Sequence, residues 1–268
     1  AMREQPGGSL DGVHPSWIAA RLLECDEPTI EAVVRALPES RREAVLEHLR
    51  RFGAEPPVRS GPKASLLATL DADRVERFRA RFFPEIGQPV ETPDDPAARW
   101  LLGAEPDAIM VAAHELGLRV VARAFCRIAR EELAKLCHGL PPRDSVRLVA
   151  AVVELNERCD VDERRQLQYT HLKLMRRAGV SQRLFEDTGL AFLAVAVLAQ
   201  LEPVTAARFV YRLPEQLGRR LRALASPELM PDPPFVAVYR EELRPWLAEL
   251  AQRGLIDAAL PTDGEGTS

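Results

Sequence analysis

From Ile18 to Leu49 the apolar positions follow a broken helical rhythm: Ile18, Leu22 and Leu23, then Ile30, Val33, Val34 and Leu37, then, beyond Pro38, Val45, Leu46 and Leu49. The i, i+3, i+4, i+7 spacing of the second group puts four side chains on one face of a helix about 15 Å long. Three short amphipathic helices are predicted here. The phrase returns 103 residues later as Val121, Phe125, Cys126, Leu133, Leu136, Cys137, Leu140, Pro141, Leu148, Val149 and Val152, every position still apolar or proline. A looser third copy is displaced by 175 residues before the first turn and by 176 after it. It runs through Leu193, Val197, Leu198, Ala206, Phe209, Val210, Leu213, Pro214 and Leu221.

Sharp corners separate the helices. Leu37-Pro38, Leu140-Pro141 and Leu213-Pro214 each end one helix and open the next, because proline restricts the residue before it and suits a first helical turn. Glu27-Pro28 and Glu202-Pro203 repeat the device one helix earlier. A single amphipathic stripe cannot bury itself, so such units are expected to stack around a continuous core. No alternating strand pattern appears. The expected fold is all-α, built of stacked short helical repeats with little or no β structure.

The punctuation of the chain divides it further. Residues 1–12 read as a tail beginning with an added residue before the natural start, and 13–51 as the first repeat. Residues 52–97 read as a linker with one helix at about 64–82, whose apolar set is Leu66, Leu67, Leu70, Val75, Phe78 and Phe82. A main helical domain with two further repeats is expected over 98–225. A C-terminal helix within 226–260 carries Val238, Leu243, Trp246, Leu247 and Leu250, and 261–268 form a second tail.

Composition changes this picture little. A 46% hydrophobic and 28% charged chain of 268 residues is that of an ordinary globular protein. Its net charge of −4 gives no global field to collect nucleic acid or anionic lipid. The longest apolar stretch, Leu190 to Leu198, is too short for a membrane span, and a cytoplasmic location is expected. Cys25, Cys126, Cys137 and Cys159 read as small buried hydrophobes in a reducing compartment rather than as metal ligands.

Signatures of catalysis are missing: no Walker loop, GxSxG, HExxH or dinucleotide fingerprint. His114-Glu115 reads as a helix surface. Asp94-Asp95 and the Asp160, Asp162, Glu163 group read as helix caps. The stretch with Arg164, Arg165, Lys173, Arg176, Arg177 and Arg183 admits a phosphate-tracking helix with Tyr169 for stacking. Overall acidity favours a solvated face that meets an acidic partner protein. No enzyme activity, cofactor or metal is expected.

The phrase from His14 to Leu49 resembles the middle-domain repeat of the flagellar motor switch protein FliG, with its His-Pro opening, acidic-Pro turn and Leu-Pro turn. That family opens with Glu-His-Pro-Gln, and here Val13 and Ser16 replace the outer two residues. The cytosolic domain of MgtE magnesium channels uses a similar repeat. Residues 116–140 and 189–214, with His14-Pro15-Ser16-Trp17, resemble the SctK/YscK family of type III secretion sorting-platform adaptors. The resemblance implies an armadillo-like or FliG-like right-handed superhelix. It further implies a structural adaptor at the cytoplasmic base of a type III secretion system, peripheral to the inner membrane. Its partners would be an inner-membrane ring protein and a cytosolic platform or C-ring protein. A rotor or switch component is the alternative, disfavoured because the phrase stands at the very start of the chain. A nucleic-acid-binding regulator using residues 164–183 is the alternative from another class. The expected protein interface comprises His14, Pro15, Ser16 and Trp17, with Trp17 at the core's edge, together with Arg164, Arg165, Arg176 and Arg177.

Overall fold

In a computed structural model of the chain, residues 10–54, 65–89, 92–155, 165, 168, 183–225 and 233–257 are described. Twelve α-helices and two 3-10 turns make up their secondary structure, with no strand among the described residues. The all-helical expectation is met.

The helices start where the sequence chemistry puts them. His14 caps α1 (Pro15–Leu22), Asp26 caps α2 (Glu27–Ala36) and Asp95 caps α5 (Pro96–Gly103), each side chain accepting a first-turn backbone N–H. Between these lie α3 (Glu39–Arg51) and α4 (Ser65–Phe82). Gly53, at a φ of 78°, stops α3 in the left-handed conformation that closes its last turn, where Ala54 N–H donates to Leu49 O at 3.0 Å. There follow α6 (Pro106–Ala124), α7 (Arg130–His138), α8 (Pro142–Leu155), α9 (Leu184–Ala196), α10 (Pro203–Arg212), α11 (Glu215–Leu224) and α12 (Pro233–Gln252). Asp160, Asp162 and Glu163, expected as caps, lie outside the described residues.

The three copies hold their register. Residues Glu27, Arg130 and Pro203 open α2, α7 and α10, and Glu39, Pro142 and Glu215 open α3, α8 and α11, at the offsets read from the sequence. The corner leucines Leu37, Leu140 and Leu213 are all buried, as are Ile18, Val121 and Leu193 and the trio Val45, Leu148 and Leu221. Ile30, Leu46, Leu133 and Leu136 are half-buried, and two expected core positions are exposed: Leu23 at 47% and Val149 at 40%. Leu23 is the C-cap of α1, where the helix stops before its side chain can turn inward. Val149 lies on the outer face of α8.

The chain divides into two compact units. The first comprises residues 1–91 and 202–219, the second 92–201 and 220–268. This corrects the expected boundary, which kept the whole third copy with residues 98–225. The corner pair α10–α11 begins in the first unit because its carbonyls and its Tyr211 ring are engaged by α1 and by Phe83. The first unit packs α1 on α3 and α2 on both α3 and α4.

The second unit is organised around α6 and α9. Every residue of α9 except Glu186 and Asp187 is buried, the mark of a helix enclosed on all sides. Its contact with α6 is backbone to backbone. A Cβ on Gly117 would stand 2.6 Å from the carbonyl carbon of Phe185, and one on Gly189 would stand 2.5 Å from that of Ala113. Beside this crossing, Leu148 and Val152 of α8 join Leu118, Val121, Leu184 and Phe185 in one cluster. From α12, Leu243, Trp246, Leu247 and Leu250 are buried, as the sequence predicted. Of the apolar set predicted for α4, Phe78 is buried, whereas Leu70 is 53% exposed.

Gly189→Ala is therefore expected to force α6 and α9 apart and to cost about 3 kcal/mol or more. Gly103→Ala, where an added Cβ meets nothing within 4 Å, should change stability by less than about 1 kcal/mol. Urea unfolding of both variants checks the contrast.

Candidate partner-binding site

The predicted His14–Trp17 interface turns out to be an internal joint within the first unit. Trp17 is 2% exposed and Ser16 7%, while His14 and Pro15 are half-buried. The indole Nε1–H of Trp17 donates to Leu213 O at 3.0 Å, and its ring stands edge-on to Tyr211. The backbone N–H of His14 donates to Tyr211 O at 2.7 Å. Ser16 Oγ accepts the N–H of Glu215 at 2.8 Å, capping α11 from a distant part of the chain. The expectation that Trp17 lies at the core's edge is thus corrected: the first turn of α1 is spent on the third copy's Leu-Pro corner.

The joint follows from how the corner carbonyls are satisfied. A Leu-Pro corner leaves the last carbonyls of the preceding helix without partners. In the first copy Arg42 supplies them, its Nε–H donating to Val34 O at 3.1 Å and its Nη2 to Leu37 O at 3.1 Å. At the equivalent position of the second copy stands Ser145, whose hydroxyl donates to Cys137 O at 3.0 Å. The third copy has Gly218 there, with no side chain to give. Trp17 takes its place: the indole reaches Leu213 O, and a Cβ on Gly218 would meet Trp17 Cζ2 at 2.9 Å.

His14 holds the joint in one protonation state. Its Nδ1 accepts the N–H of Ser16 at 3.2 Å and lies 2.8 Å from Ser16 Oγ, so the hydroxyl must donate to it. Both contacts need neutral imidazole. Burial, followed by the nearby charges of His48 and Arg41, holds the His14 pKa below its ordinary value.

In the second unit, Glu115 is 8% exposed, which corrects the reading of His114-Glu115 as a helix surface. Arg147 Nη2 donates to its two carboxylate oxygens at 2.7 and 2.6 Å, and Arg253 lies 3.5 Å away. His114 Nε2 sits 3.3 Å from Asp144. Burial alone would raise the Glu115 pKa, but the hydrogen bonds and charge of Arg147, with Arg253 and His114 behind them, carry it below the ordinary carboxylate value. A signal was present in the sequence, since Ala112, Glu115 and Leu118 are three apart and share one helical face. The partner, 32 residues on, was not legible. A groove between α6, α9 and α12 is lined by Leu116, Val120, Phe192 and Trp246, with the Arg119 guanidinium 5.8 Å from the Trp246 ring centroid.

Of the basic residues singled out, Arg164, Arg176 and Arg177 lie outside the described residues, and Arg165 is exposed. Cys126 is buried; Cys25 and Cys137 are half-buried thiols pushed up by burial, and Cys159 is outside the described residues. Among the described residues no helix is long and apolar enough to cross a membrane, and no three His, Cys, Asp or Glu side chains gather as a metal site would. The fold and its joint define a class, an all-helical protein built on a thrice-repeated helix, Leu-Pro corner and helix. No protein-family model, curated protein or solved structure matches the chain.

Trp17→Phe keeps most of the ring and orphans Leu213 O, a cost of about 1–3 kcal/mol. Trp17→Ala should cost about 3–5 kcal/mol. Equal stability of wild type and both variants in urea unfolding would return Trp17 to the surface. Because the folded-state pKa of His14 is depressed, the unfolded chain binds the extra proton as pH falls. Its contribution is complete above about pH 6.5 and lost as pH drops through the lower folded-state value. Glu115 adds a second loss below about pH 4.5. Thermal midpoints between about pH 7.5 and pH 5 should fall less steeply for His14→Asn than for wild type; parallel profiles would contradict this assignment.

Proposed function

We propose that this protein is a non-enzymatic connector at the cytoplasmic base of a type III secretion system, holding an inner-membrane ring protein to the cytosolic sorting platform. The observation that carries this reading is the unit of two helices about a Leu-Pro corner, present three times at the offsets of the sequence. The phrases that resemble the SctK family fall on this unit: residues 116–140 on α6, α7 and the corner after them, and 189–214 on α9, α10 and theirs. The phrase resembling the FliG middle domain covers α1, α2 and α3. Short helices with fixed corners suit such a role, since they display several rigid faces to different partners without a reaction centre.

The test uses the purified chain with purified cytosolic domains of the ring and platform proteins encoded beside it. Size-exclusion chromatography is expected to give a complex with each and a ternary complex with both. Absence of binding to either, with secretion and flagellar genes missing from the neighbourhood, would reject the connector. Binding to a flagellar ring protein alone would move it to the rotor.

A further inference from the structure

The outer face of α8 carries Val146, Val149 and Val153, which are 70%, 40% and 69% exposed, with exposed Ala150 among them. The other two copies provide an internal control. The positions equivalent to Val146, Val149 and Val153 are Glu43, half-buried Leu46 and Arg50 in α3, and the first two are Arg219 and Arg222 in α11. Valine is also a poorer helix former than glutamate or arginine, so neither solubility nor helix propensity accounts for this face. The opposite face of α8 is already used, with Leu148 and Val152 in the core cluster.

Charges flank the stripe in a telling arrangement. Arg143 and Glu154 are both exposed, and neither takes part in an ion pair among the described residues. Eleven residues separate them, about 16 Å and three turns, so they lie on the same edge of the valine stripe, one at each end. In an antiparallel pairing about a two-fold axis, each edge meets its own counterpart with the ends exchanged. With the axis between Val149 and Ala150, Val146 faces Val153 of the second copy, and Arg143 stands about 3 Å along the helix from the level of its Glu154, within reach of the two side chains at both ends. A parallel pairing leaves each Arg143 about three turns away from either Glu154.

We propose that two copies of this chain associate through α8, antiparallel about a two-fold axis, burying Val146, Val149 and Val153 between them. The inference does not rest on the connector reading. One short helix covers less than the roughly 800 Å² per partner of a standard interface, so the dimer is weak and concentration-dependent.

Sedimentation equilibrium of the full chain from micromolar to near-millimolar concentration is expected to follow a monomer–dimer equilibrium. Val149→Glu sets two carboxylates together at the axis and should weaken the dimer about tenfold or more, with the circular-dichroism spectrum and thermal midpoint unchanged. Arg143→Glu and Glu154→Arg should each weaken it, and the two together should restore it, because both pairs re-form with reversed polarity. A chain monomeric throughout the range overturns the proposal, as does a dimer indifferent to Val149→Glu. Failure of the double reversal to restore association overturns the antiparallel register. A monomeric chain that uses the same face for a different protein likewise overturns the dimer.

Discussion

Backbone contact between α6 and α9 is the constraint on which the second unit depends. Two helices approach this closely only where neither presents a Cβ at the crossing, and Gly117 and Gly189 each face the other helix's main chain. Small residues continue the seam, with Ala112 and Ala113 on α6 and Ala191 and Ala194 on α9 all buried. Glycine weakens a helix in isolation. Here both glycines lie inside long apolar helices, so the packing they allow outweighs their cost. Other elements of this unit complete the enclosure: α8 brings Leu148 and Val152 to the cluster, and the ion pairs of Glu115 tie α6 to α8 and to the segment after α12.

The first unit obeys a different constraint, the need to satisfy carbonyls at a proline corner. Three copies of one corner use three solutions: an arginine, a serine, and a tryptophan borrowed from elsewhere in the chain. The borrowed solution has a structural consequence that the local ones lack. It joins residue 17 to residue 213, so the N-terminal repeat and the corner of the third copy become one folding unit across nearly 200 residues of sequence. Substitutions at Trp17 therefore act on this joint first and on any partner only through it.

Periodicity and proline placement were sufficient to read the helices. The offset that aligns Leu37 with Leu140 and Leu213 also aligns the helix starts, because both follow from the same local rules of stripe and corner. What the sequence hid was tertiary. An indole after His14-Pro15 looks like a binding anchor until Gly218 is seen to have left room for it. Glu115 looks like solvent-facing charge until Arg147 closes on it. The valines of α8 fit the repeat pattern at Val149, yet the helix turns that position outward and the buried face falls to Leu148 and Val152. In each case the deciding partner is distant in the chain, and local pattern cannot supply it.

Native-state hydrogen exchange tests the central claim, that the glycine crossing of α6 and α9 holds the second unit together. Amides of α6 from Ala112 to Ala122 and of α9 from Thr188 to Val195 should be the slowest to exchange, and should lose protection together as denaturant is added. Those of α7, which contributes no fully buried residue, should open earliest. If α7 proves as protected as α6, or if α6 and α9 open at different denaturant concentrations, the crossing is not what the unit depends on.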